Sequence, residues 1–151
     1  MTQLHKIMYI SSASELLDEA ELQALMLKSR HKNAHFSVSG CLIYHDGNII
    51  QYLEGSTSAV NFIYGCIRND KRHTNIHVLC DDTIETRAFS DWTMALCYIP
   101  PGKLHQYSTV YDLFEDMMEP HIIDTICHQA RGFFETFLSV SRSPGRNMDL
   151  R

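Results

Sequence analysis

Apolar and polar positions along the chain change period several times, and each change marks an element. Residues 4–11, carrying Ile7, Tyr9 and Ile10, are rich in β-branched and aromatic side chains and predict a strand. Ser11, Ser12, Ala13 and Ser14 then read as a loop. Asp18 followed three residues later by Glu21 has the form of a capping box. Leu22, Leu25, Met26 and Ser29 fall on one helical stripe behind it. This helix is expected to end near His31, Lys32 and Asn33, where basic side chains suit the carbonyl end of the helix dipole. Residues 39–44 predict a second strand and 49–54 a third. The Asp46-Gly47 pair between them supplies the positive φ values of a tight hairpin. After Gly55 and Ser56, a second helix is marked by Val60, Ile63, Tyr64 and Ile67. Residues 75–80 and 92–99 complete the pattern as strands four and five.

The order β-α-β-β-α-β-β predicts an α+β fold, a ferredoxin-like sandwich in which two helices cover one sheet face. Strand three is apolar on both sides: Ile49, Gln51 and Leu53 point one way, Ile50 and Tyr52 the other. Its second face therefore also needs cover. Residues 101–140 offer it in two helical stripes, a short one with Val110, Leu113 and Phe114, and a longer one with Ile122, Ile126, Phe133 and Phe137. Residues 1–100 are thus expected to form the core domain and 101–140 a helical extension, with 141–151 a disordered polar tail.

The 44% hydrophobic and 21% charged content is ordinary for a soluble globular chain. A net charge of −5 and the lack of a Lys/Arg cluster argue against nucleic acid as a direct partner. No apolar run reaches the roughly 20 residues that span a bilayer, and the polar start does not resemble a signal peptide. A cytoplasmic protein without a membrane partner is expected. Five scattered cysteines, none in a Cys-x-x-Cys pattern, read as free thiols. The pairs His31/His35 and His73/His77 have no matching third ligand, so no metal is expected.

No phosphate-binding glycine loop or nucleophile elbow is present. Glu54 and Asp70 lie near element ends, where a carboxylate usually belongs to a solvated face. What stands out is a polar set in apolar surroundings. Gln51 sits inside a strand that is otherwise apolar, and an unpaired buried amide costs about 1–3 kcal/mol. Alternation puts Tyr9 and Gln51 on the same sheet face, and strands one and three are neighbours in this topology. Asn33 falls at the same end of the groove. Taken singly, Tyr9 reads as a core tyrosine with its hydroxyl at the rim, Gln51 as a strand-edge polar residue and Asn33 as a helix C-cap. Together they point to a pocket for a planar, largely apolar ligand with a hydrogen-bonding edge.

Over residues 4–100 the chain resembles the BLUF domains, sensors of blue light using FAD. The resemblance is carried by Ile7-Met8-Tyr9-Ile10-Ser11-Ser12, Asn33, Val38-Ser39-Gly40-Cys41, Gln51-Tyr52-Leu53-Glu54-Gly55, Asp70-Lys71-Arg72-His73 and Phe89-Ser90-Asp91-Trp92-Thr93-Met94. It implies FAD bound non-covalently with its ring between the two helices. Tyr9 is then the photochemical electron and proton donor, and Gln51 bridges Tyr9 and the flavin. Asn33 holds the polar edge of the ring, Met94 or Trp92 lies close to Gln51, and Ile67, Arg72 and His73 complete the cofactor contacts. Cys66 departs from the pattern, standing where many family members carry a longer polar or basic side chain.

The resemblance implies a photoreceptor and not an enzyme. The residues after strand five are too few for a cyclase or phosphodiesterase domain. Output is therefore expected through a downstream signalling protein or a change in oligomeric state, and the aromatic C-terminal stripe favours a homo-oligomer. A light-insensitive ferredoxin-like interaction module is the alternative.

Overall fold

The computed structural model describes residues 3–90, 93–107 and 135. The elements follow in the order β1 (Leu4–Ala13), α1 (Glu19–His35), β2 (Ser39–His45), β3 (Asn48–Ser56), α2 (Thr57–Arg68), β4 (His73–Ile84) and β5 (Ala95–Tyr98), then a 3-10 turn at Leu104–Gln106. They form one five-stranded sheet in the order β4-β1-β3-β2-β5. Among the described residues only the β2–β5 pair is parallel. This is the ferredoxin-like α+β arrangement that the order of elements predicts.

The two sheet faces bury separate clusters. Ile7, Tyr9, Leu42, Ile49 and Leu53 lie beneath the helices with Leu22, Met26, Val60 and Ile63. Met8, Cys41, Ile43, Ile50, Tyr52 and Cys97 occupy the back. Leu104 and Tyr107 are buried against this back cluster. The rest of the expected helical extension, apart from Glu135, lies outside the described residues, as does the tail. Asp46 and Gly47 both have positive φ, 48° and 82°. That pair of values is the type I′ turn whose twist matches the flanking strands.

Helix α1 starts as expected. Asp18 accepts from the Glu21 backbone N–H, and the Glu21 carboxylate accepts in return from the Asp18 N–H. It ends later than expected, at His35. Val38 N–H donates to Asn33 O and Ser37 N–H to Ala34 O, which is a Schellman closure. Ser37 takes the left-handed position usually given to glycine, with φ 54°. Asn33 is therefore inside the last turn, with its side chain on the inner face, and does not act as a C-cap. The inner stripe of α1 is thin, burying only Leu22, Met26 and Asn33.

The strand limits also differ from expectation. Ser12 and Ala13 are not loop but continue β1, paired with Thr74 and His73 of β4. β4 runs twelve residues because its ladder with β1 reaches Asp81, Asp82 and Thr83. As an edge strand it is largely exposed, and the acidic pair suits an edge that must not pair further. β5 is only four residues long. Its ladder with β2 begins at Cys41↔Ala95, while the preceding carbonyls of Thr93 and Met94 are bonded to Asn33 and Arg30 of α1.

Candidate functional site

Between α1, α2 and the sheet lies a cavity of about 420 Å3. It falls within the roughly 300–1,000 Å3 of ligand pockets. The thin inner face of α1 follows from this: Leu25, Ser29 and Asn33 meet the cavity instead of a packed core. Tyr9 and Gln51 line it from the sheet, Ile63, Cys66 and Ile67 from α2, Asp70 and Arg72 from the turn that leads into β4, and His73 from the first residue of that strand. Lys28 and Lys32 line the α1 side.

Tyr9 and Gln51 are direct cross-strand partners in the β1–β3 ladder, the position where antiparallel side chains approach closely. The Tyr9 hydroxyl donates to Gln51 Oε1. Gln51 Nε2 in turn donates to Met94 Sδ at 3.4 Å. Phenol, amide and thioether therefore form one chain across β1, β3 and the segment entering β5, and all three residues are buried. The chain has a polarity. A phenol oxygen can donate or accept, but a thioether can only accept. The amide orientation that turns Nε2 toward Met94 is the one that satisfies both neighbours.

Burial, with Tyr64 and Asp70 nearby, pushes the Tyr9 phenol well above its ordinary value of 10.0. The folded site therefore holds Tyr9 neutral, with its proton on the hydrogen bond to Gln51. A folded pKa above the unfolded one gives a contribution fully present below pH 10 and lost as the pH rises past it. Wild-type stability, followed by urea midpoint, should fall more steeply above pH 10 than that of Tyr9→Phe, by up to about 1.4 kcal/mol per pH unit. Parallel curves through pH 11 would contradict the assigned burial.

The remaining predicted residues divide. Asn33 Nδ2 donates to Thr93 O at 2.9 Å, tying the inner face of α1 to the residue before Met94. His73 bridges Ser11 Oγ at 3.0 Å and Ile67 O at 2.7 Å, with its ring 6.1 Å from that of Tyr9. Arg72 meets Asp70, its Nε at 2.9 and 3.0 Å from the two carboxylate oxygens. The Arg72 hydrogen bond holds the Asp70 carboxyl below its ordinary range. Cys66 lines the cavity as a half-buried thiol. Trp92 lies outside the described residues.

Glu54 corrects an expectation. It is not part of a solvated face but completely buried. Ser39 Oγ–H and Phe89 N–H donate to its Oε2, both at 2.8 Å, and Ala88 N–H donates to Oε1 at 2.7 Å. Its position on the back face, two residues beyond buried Tyr52, was the available signal. Alternation turns it inward at the end of a strand apolar on both sides. Arg30, whose Nε donates to Met94 O at 2.9 Å, was also not anticipated.

Among the described residues no helix is long and apolar enough to cross a membrane. Residues 4–95 match the family model described as BLUF, sensors of blue-light using FAD. The photoactivated adenylate cyclase subunit beta of Euglena longa is 35% identical over 92 residues, 60% of this chain but 11% of that protein. Its counterpart from Euglena gracilis is 34% identical over 62% of this chain and 11% of its own. The chain thus spans about a tenth of the length of these curated relatives. The dark-state structure of BlrB, a BLUF protein, superposes with a TM-score of 0.65 at 25% identity, covering 92% of this chain and 98% of that one. With the family model spanning well over half of the sequence, and with this cavity at its centre, the chain belongs to the BLUF family, the sensors of blue light using FAD.

Proposed function

We propose that this chain is a blue-light receptor whose switch is the Tyr9–Gln51–Met94 chain. The observation that carries the reading is the bridging amide, with the phenol on its oxygen and the thioether on its nitrogen, at the wall of a cavity between two helices.

The cavity suits the family's cofactor. Leu25, Met26, Ile63 and Ile67 make apolar walls for a flat ring, and the amides of Asn33 and Gln51 supply a hydrogen-bonding edge. Lys28 and Lys32 provide positive charge for the phosphates of FAD, whereas Arg72 is tied to Asp70. His73, held at both ring nitrogens, is a fixed part of the wall beside Tyr9. Cys66 adds a small apolar surface where a longer side chain would reach further.

Bound flavin, once excited by blue light, supplies a strong one-electron oxidant. Tyr9 is the donor. Its hydroxyl is already bonded to Gln51 Oε1, so as its electron went to that oxidant its proton would pass onto Gln51 Oε1 without a large movement. When both return to Tyr9, the Gln51 amide is left rotated or tautomerised. A rotated amide turns Oε1 toward Met94, which has no proton to give it. The N–H···S contact is then lost. The two arrangements differ by one weak hydrogen bond, on the order of 1 kcal/mol, a difference small enough for a reversible switch.

Met94 adjoins β5, so the change reaches the strand leading to the C-terminal segment. Output passes through a downstream signalling protein or a change in homo-oligomeric state, in the cytoplasm. The test is an illumination spectrum of the purified, FAD-loaded chain. Blue light should shift the flavin band to longer wavelength, with reversal in the dark. A protein that takes up FAD but shows no reversible shift would defeat the proposal and leave a light-insensitive interaction module.

A further inference from the structure

Glu54 has no place in the photochemical chain, yet it is the most completely enclosed carboxylate among the described residues. It accepts from three donors drawn from two separate stretches of chain, Ser39 of β2 and the backbone of Ala88 and Phe89. Its balancing charge is one step away: Arg87 Nη1 donates to Ser39 Oγ at 2.9 Å, and the Ser39 hydroxyl donates its own hydrogen bond to Glu54 Oε2. Arg87 Nη2 donates to Ser37 O at 2.6 Å. The same guanidinium thus holds the left-handed residue that closes α1 just after Asn33. Phe89 completes the assembly by packing its ring 5.5 Å from that of Tyr52.

We infer that Glu54 is a positioning residue for the switch. It anchors residues 87–89 to the end of β3, and so sets where Thr93 and Met94 lie relative to Gln51. This rests on reading the Gln51–Met94 contact as part of the switch. Two anchors fix the segment that enters β5. Asn33 and Arg30 of α1 hold the carbonyls of Thr93 and Met94, and Glu54 holds the backbone upstream. Gln51 and Glu54 lie on the same strand, three residues apart and on opposite faces. The strand carrying the bridging amide therefore also sets the height of its thioether partner.

The chemistry calls for acceptors on both oxygens. All three neighbours of the carboxylate donate, and a carboxylate offers acceptors on both oxygens. Gln at this position keeps the shape but presents an amide N–H to a backbone N–H that is already a donor. One of Ala88 or Phe89 then loses its partner, and the upstream anchor loosens.

The test uses the full chain with FAD and selective 13C-methyl labelling of methionine, the Met94 signal being assigned with Met94→Leu. In Glu54→Gln the dark-state Met94 methyl resonance should move or broaden. Dark recovery should accelerate by on the order of threefold or more, since a looser thioether lowers the barrier to turning the amide. The light-induced spectral shift itself should persist, because Tyr9 and Gln51 are untouched. Ser39→Ala, which removes one donor and the link to Arg87, should do the same more weakly, and it decides the matter if Glu54→Gln does not fold. Asp18→Ala serves as the control, since it weakens α1 at its first turn and should leave the Met94 methyl in place. An unchanged Met94 resonance and recovery rate in the folded variants would overturn the assignment. A wild-type chain without a light response would remove the receptor reading, but the dark-state Met94 comparison would still decide whether Glu54 positions it.

Discussion

Tyr9→Phe should yield a yellow protein that no longer answers to light. The substitution deletes one oxygen and leaves the ring packed among Ile7, Leu53 and Tyr64, so the cavity wall is preserved and flavin uptake is expected to persist. What disappears is the donor on Gln51 Oε1, and with it the group that can lose an electron and a proton together. Gln51→Leu reaches the same end from the other side. Leu fills a similar buried volume but can neither receive the Tyr9 proton nor donate to Met94. Each variant also strands one buried polar group, at a cost of about 1–3 kcal/mol. The losses of stability should therefore be real but survivable. In both, the reversible shift should fall below a tenth of the wild-type amplitude, measured by difference spectroscopy at matched flavin occupancy. A shift kept at half amplitude or more in either variant would show that the switch does not run through this pair.

These two residues were legible in the sequence because each violates a local pattern. A glutamine in an apolar strand has to find partners, and strand alternation with the order of elements puts Tyr9 opposite it. The Asp46-Gly47 hairpin and the Asp18–Glu21 capping box were legible for a related reason, since both are complete within four residues. Features that depend on distant chain were not. β4 continues through Asp81 and Asp82 because β1 supplies a partner, whereas an exposed edge strand has no apolar alternation to announce it. The residues expected to begin strand five include Thr93 and Met94, whose carbonyls are bonded by α1 side chains 60 and 64 residues earlier in the chain. Glu54 was misjudged for the same cause. Alternation turns its side chain to the back face, but its donors at Ala88 and Phe89 come from a turn more than thirty residues away, and nothing local announces those N–H groups.

The largest loss of stability should come from a single methyl group far smaller than any of these side chains. Gly40 pairs with Leu53 in the β2–β3 ladder, and a Cβ placed on it would stand 1.9 Å from Tyr52 O and 3.0 Å from Tyr52 C. Both are backbone atoms of the neighbouring strand, so no rotamer change can make room. Relief requires β2 and β3 to part at the point where Gln51 and Glu54 flank the contact on the same strand. Overpacking in a rigid core costs about 1–3 kcal/mol and occasionally more, and a backbone collision belongs at the upper end. Gly40→Ala should therefore lower the thermal midpoint by roughly 6–12 °C, taking about 3 kcal/mol at 2–4 °C each for a chain of this size. The same Cβ would lie 3.3 Å from Met94 Cε, so the damage extends to the switch. At temperatures where Gly40→Ala remains folded, its dark-recovery rate should also differ from wild type, unlike that of a variant that only shortens α1. A melting point within 2 °C of wild type would mean that the strands part more easily than their close approach implies.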